Sequence, residues 1–275
     1  MVFIYCYLFI LGLVLGSFYN VVGLRVPLNK SIIRPRSTCT RCGHLLKTIE
    51  LIPVASYIIQ KGKCRDCQKR ISPIYPIFEL LTGILFIIAP LVVGWSSELV
   101  VGLTLISMFM IIVVSDIHYM IIPDKILIWF AGIFLIERFF WPLTPWWDSL
   151  LGAFIGFVLL LMIAFVSKGG MGFGDVKLYA LLGGILGVKL VLLSFFISTL
   201  FGSVIGGVAL LVKIVKQRQP VPFGPFIAAG TLTAYFWGSD IIKIYLQFLN
   251  QVFLLGGCVW LFPLLLLITE KIIWY

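Results

Sequence analysis

Apolar residues run in long stretches along this chain, and polar residues gather in the gaps between them rather than alternating with them. An α-helix needs about 20 apolar residues to cross a bilayer core. Runs at roughly 3–22, 75–93, 98–115, 125–141, 149–166, 176–188, 190–212, 224–238 and 251–269 meet or approach that length. Between the last two, DIIKIYLQFLNQ at 240–251 carries apolar residues at helical spacing, the pattern of a helix lying along a membrane surface. The pattern predicts an all-α polytopic membrane protein with a bundle of about eight to nine transmembrane helices. One long polar stretch divides it into a first transmembrane helix at 1–24, a soluble segment at 25–72 and a bundle at 73–270.

Composition sharpens that picture. Apolar types make up 61% of the 275 residues and charged types 12%, with a mean hydropathy of +1.13. Soluble domains carry about half apolar and a quarter charged residues, so a water-soluble fold is excluded. The net charge is +10, and 11 of the 21 Lys and Arg residues fall between Arg25 and Arg70, opposed only by Glu50 and Asp66. A short basic segment between apolar spans reports topology rather than nucleic-acid binding, because cytoplasmic loops are enriched in Lys and Arg. Met1–Val22 has no basic leader and no small-residue cleavage site, so it reads as a first span with its N-terminus outside. Segments 25–72, 168–175 and 213–222 then face the cytoplasm, and the outer loops 94–98 and 137–148 hold a single basic residue, Arg138.

The soluble segment is too short for a sound core of its own. It carries Cys39, Cys42, Cys64 and Cys67 as two C-x2-C pairs separated by 21 residues. Two such hairpins can place four thiolates tetrahedrally around structural Zn(II), making a small zinc-ribbon-like cytoplasmic domain whose folding energy comes from the metal. Two disulfides are the alternative, and a reducing cytosol disfavours them. Cys6 and Cys258 lie in apolar runs and read as small buried hydrophobes.

Only 11 acidic residues exist. Asp116 closes the run LISMFMIIVVS, where an anion opposes the helix dipole and a carboxylate at the bilayer edge points to function; the alternative is a solvated residue just past the helix end. Asp175 follows GGMGFG and opens a helix, so it could be an N-cap, but the glycines bare its approach to another chain or a substrate. The threading puts both on one face of the membrane. Two such carboxylates can share a proton and act as acid and base on a water attacking a peptide carbonyl. Asp124, after Pro123, reads as a helix cap. Glu79 lies one turn into the second span, where it could pair with a loop cation or cap that turn. His44 reads as a surface residue beside the cysteines, and His118 as a loop residue. The glycine pattern lacks the preceding strand or following GK[ST] of a nucleotide site.

These residues resemble the prepilin peptidase family, also called type IV leader peptidases, which are aspartic intramembrane proteases. The resemblance spans about 15–240 and rests on GSFYNVVGLRVP (16–27), the paired C-x2-C motifs, RISPIYPIFELLTG (70–83), Asp116 followed by IIPD (121–124), GMGFGDVK (170–177) and VPFGPFIAAG (221–230). It implies an inner-membrane enzyme that cuts the basic leader from type IV prepilins and pseudopilins after a glycine, on the cytoplasmic side. Many members then N-methylate the new terminus with S-adenosylmethionine. It implies Asp116 and Asp175 as the catalytic pair, Gly172, Gly174, Lys177, Asp124 and Glu79 as supporting positions, and the four cysteines as the zinc set of members that also methylate. His118 stands where many relatives carry an acid, and the last apolar run is not expected from the family. Anionic lipid headgroups suit the basic domain as a partner. Two rival classes are a transporter, which would carry polar residues at mid-membrane, and a scaffold for a pilus or secretion machine.

Overall fold

The computed structural model describes residues 2–39, 41–167, 171–213 and 221–255. Eight α-helices carry the fold: α1 (Val2–Arg25), α2 (Ala55–Ile59), α3 (Ile74–Val93), α4 (Ser97–Tyr119), α5 (Asp124–Phe140), α6 (Asp148–Val166), α7 (Phe173–Leu211) and α8 (Gly224–Leu255). Among the described residues there is no strand, only two isolated bridges, Thr38 with Leu45 and Lys63 with Arg70.

Five of these helices, α1, α3, α4, α6 and α7, are long and apolar enough to cross a membrane. That count does not confirm the eight to nine spans expected: it takes α7 as one helix, and α5, with 17 residues, is not among the five. The runs at 176–188 and 190–212 are two arms of α7, separated at Gly187, whose φ of 76° and ψ of 177° break the helical path. The Tyr179 hydroxyl donates to Ser198 Oγ at 3.2 Å. A straight helix would hold residues 19 apart about 28 Å from one another, so the chain doubles back at Gly187. Asp148, at the start of α6, packs its carboxylate against this corner and accepts the Val188 N–H at 3.3 Å. The arms lie against α6 through glycines: a Cβ on Gly152 would strike the Gly183 carbonyl, and one on Gly156 the Tyr179 carbonyl. The runs at 224–238 and 240–251, expected as a span and a separate surface helix, form one continuous helix, α8. Most of the run at 251–269 lies outside the described residues.

Helix α4 is the axle of the bundle. In its most apolar window 72% of residues are buried, against 17–44% in the other four candidate spans. Polar contacts fix which helix ends meet. Arg138, at the end of α5, donates to both carboxylate oxygens of Glu98 at 2.6 and 3.1 Å and through Nε to the Ile185 carbonyl at 3.0 Å. The Tyr235 hydroxyl donates to Glu98 Oε2 at 2.9 Å. The start of α4, the end of α5, the corner of α7 and the middle of α8 therefore share one end of the bundle. The end of α4 and the starts of α5, α7 and α8 share the other, together with the segment linking α1 to α3.

Candidate active site and metal centre

Asp116 stands in the last turn of α4 and is 6% exposed, so it is not the solvated residue past the helix end that was the alternative. Helix α4 runs on to Tyr119 and closes with Met120 in the left-handed conformation, whose N–H donates to the Asp116 carbonyl at 2.8 Å. Ser115 Oγ donates to the Ile121 carbonyl at 2.6 Å and turns the chain sharply into the IIPD segment. His118 lies within α4 rather than in a loop, with Nδ1 2.9 Å from the Val114 carbonyl.

Asp175 approaches from α7. The helix starts at Phe173 with Gly172 at the cap position, so Asp175 sits in the first turn rather than at the N-cap, and its N–H donates to the Gly172 carbonyl at 3.1 Å. Gly174 is pressed against Ile122, where a Cβ would come within 3.0 Å of the Ile122 Cβ. That contact seats the turn of Asp175 on the IIPD segment beside Asp116. Gly172 is exposed, and a Cβ there would make only an ordinary 3.7 Å contact with Asp175 Oδ2. Gly169 and Gly170 lie outside the described residues. The half-buried Asp175 is close enough to the Asp116 carboxyl for the two to repel one another when both are ionised.

A third group completes this arrangement. The Gly224 N–H, at the start of α8, donates to Asp116 Oδ2 at 2.7 Å, and a Cβ on Gly224 would lie 2.7 Å from that same oxygen. Glycine is the residue that lets the helix end come so close. Sequence reasoning placed Gly224 inside a motif but gave it no role, because the contact is made by backbone.

The other supporting positions lie apart from this pair. Asp124 caps nothing: Pro123 occupies the cap position of α5, and both Asp124 oxygens accept from Lys177 Nζ at 2.8 Å across an exposed gap. The two residues tie the start of α5 to the start of α7. Glu79 is buried on α3 and meets no loop cation among the described residues; its Oε2 accepts the Val54 N–H at 2.8 Å.

In the segment between α1 and α3, the sulfur atoms of Cys39, Cys42, Cys64 and Cys67 all lie within 4.8 Å of one another. Cys39 to Cys67 and Cys42 to Cys64 are each 3.9 Å. Zinc–sulfur bonds of about 2.3 Å at a tetrahedral centre require sulfur–sulfur edges near 3.8 Å, so the four thiols fit structural zinc. The two halves are built alike. Cys39 N–H donates to the His44 carbonyl and Gly43 N–H to the Cys39 carbonyl, both at 2.9 Å. Cys64 N–H donates to the Lys69 carbonyl at 2.9 Å and Gln68 N–H to the Cys64 carbonyl at 3.0 Å. Backbone N–H groups of Cys42 and Arg41 aimed at its sulfur bring the Cys39 thiol down to about 6, which favours the metal-binding thiolate. His44 is no bystander: Nε2 lies 3.1 Å from Glu50 Oε2 and Nδ1 2.7 Å from Asp66 Oδ2, joining the two halves. Glu50 also accepts the Lys47 N–H at 2.8 Å, and that bond first, then His44, draws its carboxyl below the usual range.

Comparisons with known proteins agree with this layout. The bacterial peptidase A24 N-terminal domain matches residues 10–93, and the type IV leader peptidase family matches residues 103–207. A prepilin leader peptidase/N-methyltransferase of Bacillus subtilis (strain 168) is 47% identical over 240 residues, covering 87% of this chain and 97% of the relative. Proteins of the same description from Aeromonas salmonicida (strain A449) and Pseudomonas aeruginosa PAO1 are 32% and 31% identical, each covering 87% of this chain and 92% of the relative. No solved structure matches the chain significantly.

Proposed function

The chain belongs to the type IV leader peptidase family, and from that premise we propose that Asp116 and Asp175 are the catalytic pair of a prepilin leader peptidase/N-methyltransferase. The observation that carries the assignment is the meeting of two carboxyls from separate helices at one end of the bundle, one of them buried and held by a helix-start N–H. Two carboxyls so placed share one proton. Asp116 Oδ2 is already an acceptor for Gly224, so the shared proton lies between Asp175 and the other Asp116 oxygen. The ionised carboxylate takes a proton from a water as its oxygen attacks the scissile carbonyl. The protonated carboxyl donates first to the carbonyl oxygen, and its proton is then delivered to the departing amine as the C–N bond breaks.

The proposed topology places the N-terminus outside and eight crossings, counting the two arms of α7, with Asp116 and Asp175 at the cytoplasmic face. A prepilin is a basic leader followed by an apolar helix. With that helix in the bilayer beside the bundle, the bond after the glycine falls at the level of the pair. The metal reading is structural Zn(II) on Cys39, Cys42, Cys64 and Cys67, with the basic domain facing anionic headgroups. S-adenosylmethionine, when bound, supplies an electrophilic methyl group for the new N-terminus.

The test is cleavage of a co-expressed prepilin by the wild type, Asp116→Asn, Asp175→Asn and Asp124→Asn at equal abundance. Loss of the leader shift in the first two, with Asp124→Asn keeping most of its activity, is the expected result. Full cleavage by either of the first two overturns the pair.

A further inference from the structure

Where α1 meets α3, buried polar groups gather that the cleavage chemistry does not use. Ser17 and Asn20 lie three residues apart on one face of α1, and Tyr75 and Glu79 four apart on the facing side of α3. The backbones are close: a Cβ on Gly16 would come within 2.9 Å of the Glu79 Cα. Asn20 is 4% exposed; its Nδ2 donates to the Tyr75 carbonyl at 3.2 Å, but its Oδ1 is buried with no partner among the described residues. Glu79 is 9% exposed and accepts the Val54 N–H. No cation is paired with Glu79 among the described residues. The basic residue at the end of α1, Arg25, donates instead to the Ser31 and Ile32 carbonyls.

A buried carboxylate without a counter-ion and an orphan acceptor oxygen beside it are both costly. Together they form an acceptor-rich site that lacks a positively charged donor. A primary ammonium group supplies what is missing, with three N–H donors and one positive charge. Contacts along α1 set the depth: Glu79 packs beside Gly16, whereas Ile111 and Val114, just before Asp116, pack beside Gly23, about 10 Å further along the helix. A terminal amine released at Asp116 and Asp175 would therefore reach this site by moving inward along the bundle.

We infer that Glu79, Asn20 and Ser17 form the seat of the newly exposed N-terminal ammonium of the cleaved pilin during its methylation. This rests on the family reading and extends it to named residues. In this seat the Glu79 carboxylate takes one proton from the ammonium, leaving a neutral amine held by Asn20 Oδ1. The amine nitrogen attacks the methyl carbon of the sulfonium donor. The C–S bond breaks with its electron pair going to sulfur, which becomes a neutral thioether, and the methylated nitrogen keeps its remaining protons and one positive charge. The proton on Glu79 is then lost to water. The Val54 N–H bond to Glu79 ties the zinc-binding segment to the same carboxylate, so that segment forms the lid of the seat.

The experiment uses the full-length wild type, Glu79→Gln and Asn20→Leu in two measurements. Glu79→Gln keeps an oxygen for the Val54 N–H and removes only the charge. Mass spectrometry of a co-expressed pilin reads cleavage and methylation separately. The expected result is full cleavage by both variants with the methyl group absent. In nanodiscs, binding of a mature pilin helix peptide is compared with its N-acetylated form. The wild type should prefer the free ammonium by about ten-fold, the scale of a hydrogen-bonded buried charge, and Glu79→Gln should abolish the preference. Retained methylation in both variants, or an unchanged ammonium preference in Glu79→Gln, overturns the assignment. A wild type that cleaves without methylating would remove the methyltransferase reading, while the ammonium preference would still decide the site.

Discussion

At the scale of single residues, Gly224 shows how little of a polar site needs to be side chain. Its N–H holds Asp116 Oδ2 at 2.7 Å, and the space a methyl group would need is taken by that same carboxylate. Gly224→Ala must therefore push the carboxyl aside or draw back the start of α8. Misplacement by about 1 Å can cost on the order of a hundred-fold in rate. The expected outcome is a kcat for prepilin cleavage reduced by about that factor, with KM nearly unchanged because the Gly224 contact is made to Asp116. A variant with normal kcat would show that the amide contact does not position Asp116. Asp116 and Asp175 could be singled out as candidates from the sequence because a carboxylate beside an apolar run has few inexpensive explanations. Gly224 was not, since a backbone donor leaves no trace in residue type. Asp124 was misread as a cap because its partner, Lys177, stands 53 residues away and only folding brings the two together.

At the scale of elements, the α7 corner and the metal hairpins carry the strongest demands. Gly187 has a φ of 76° and a ψ of 177°, a backbone conformation that side-chain-bearing residues rarely adopt, and the Asp148 carboxylate fills the space where a Cβ would go. Gly187→Ala should cost about 1–3 kcal/mol, read as a lower thermal midpoint in detergent; an unchanged midpoint would mean that the corner can relax freely. The four-cysteine segment should depend on the proposed metal in a different way. Cys64 is 3% exposed and sits 3.9 Å from the Cys42 sulfur, while the segment as a whole has too few apolar residues for a core. Chelation, or Cys64→Ser, should make the chain between α1 and α3 rapidly cleaved by added protease while the helices stay intact, with bound zinc falling from one per chain to none. Protease resistance that survives loss of the metal would refute that dependence. The corner was legible as a gap between two apolar runs. The unbroken α8 was not: the apolar spacing of 240–251 read as a separate surface helix, yet α8 runs through it, and Asp240 and Lys243 pair at 3.8 Å on an exposed face, three residues apart, as neighbours on one helix do.

At the scale of the whole molecule, the bundle has two unlike ends. One is closed by a clamp in which Arg138 grips Glu98 and the Ile185 carbonyl, and Glu98 also receives the Tyr235 hydroxyl. The other carries Asp116, Asp175 and Gly224, Glu79, and the basic four-cysteine segment with 11 Lys and Arg residues between Arg25 and Arg70. Charge bias in short loops sets orientation, and the proposed topology accordingly has the clamp outside and the carboxylates inside. The sequence could state this bias but not the clamp, because the clamp joins residues from four helices. The two statements can be tested together. Alkaline phosphatase, active only outside the cytoplasm, fused after Trp95 should be active, and fused after Lys213 inactive. The reverse pattern would place the pair on the wrong side for a prepilin whose leader stays in the cytosol. Replacing Arg138 with Met should remove its two bonds to the partly exposed Glu98 and its bond to the Ile185 carbonyl, and cost about 1.5–3 kcal/mol, the scale for hydrogen bonds to charged groups. Because the clamp stands a full helix length from Asp116, that loss should appear as lower abundance and a lower thermal midpoint, with kcat per folded molecule preserved. A selective fall in kcat at unchanged stability would instead mean that the clamp end moves during catalysis and sets the spacing of the carboxylates.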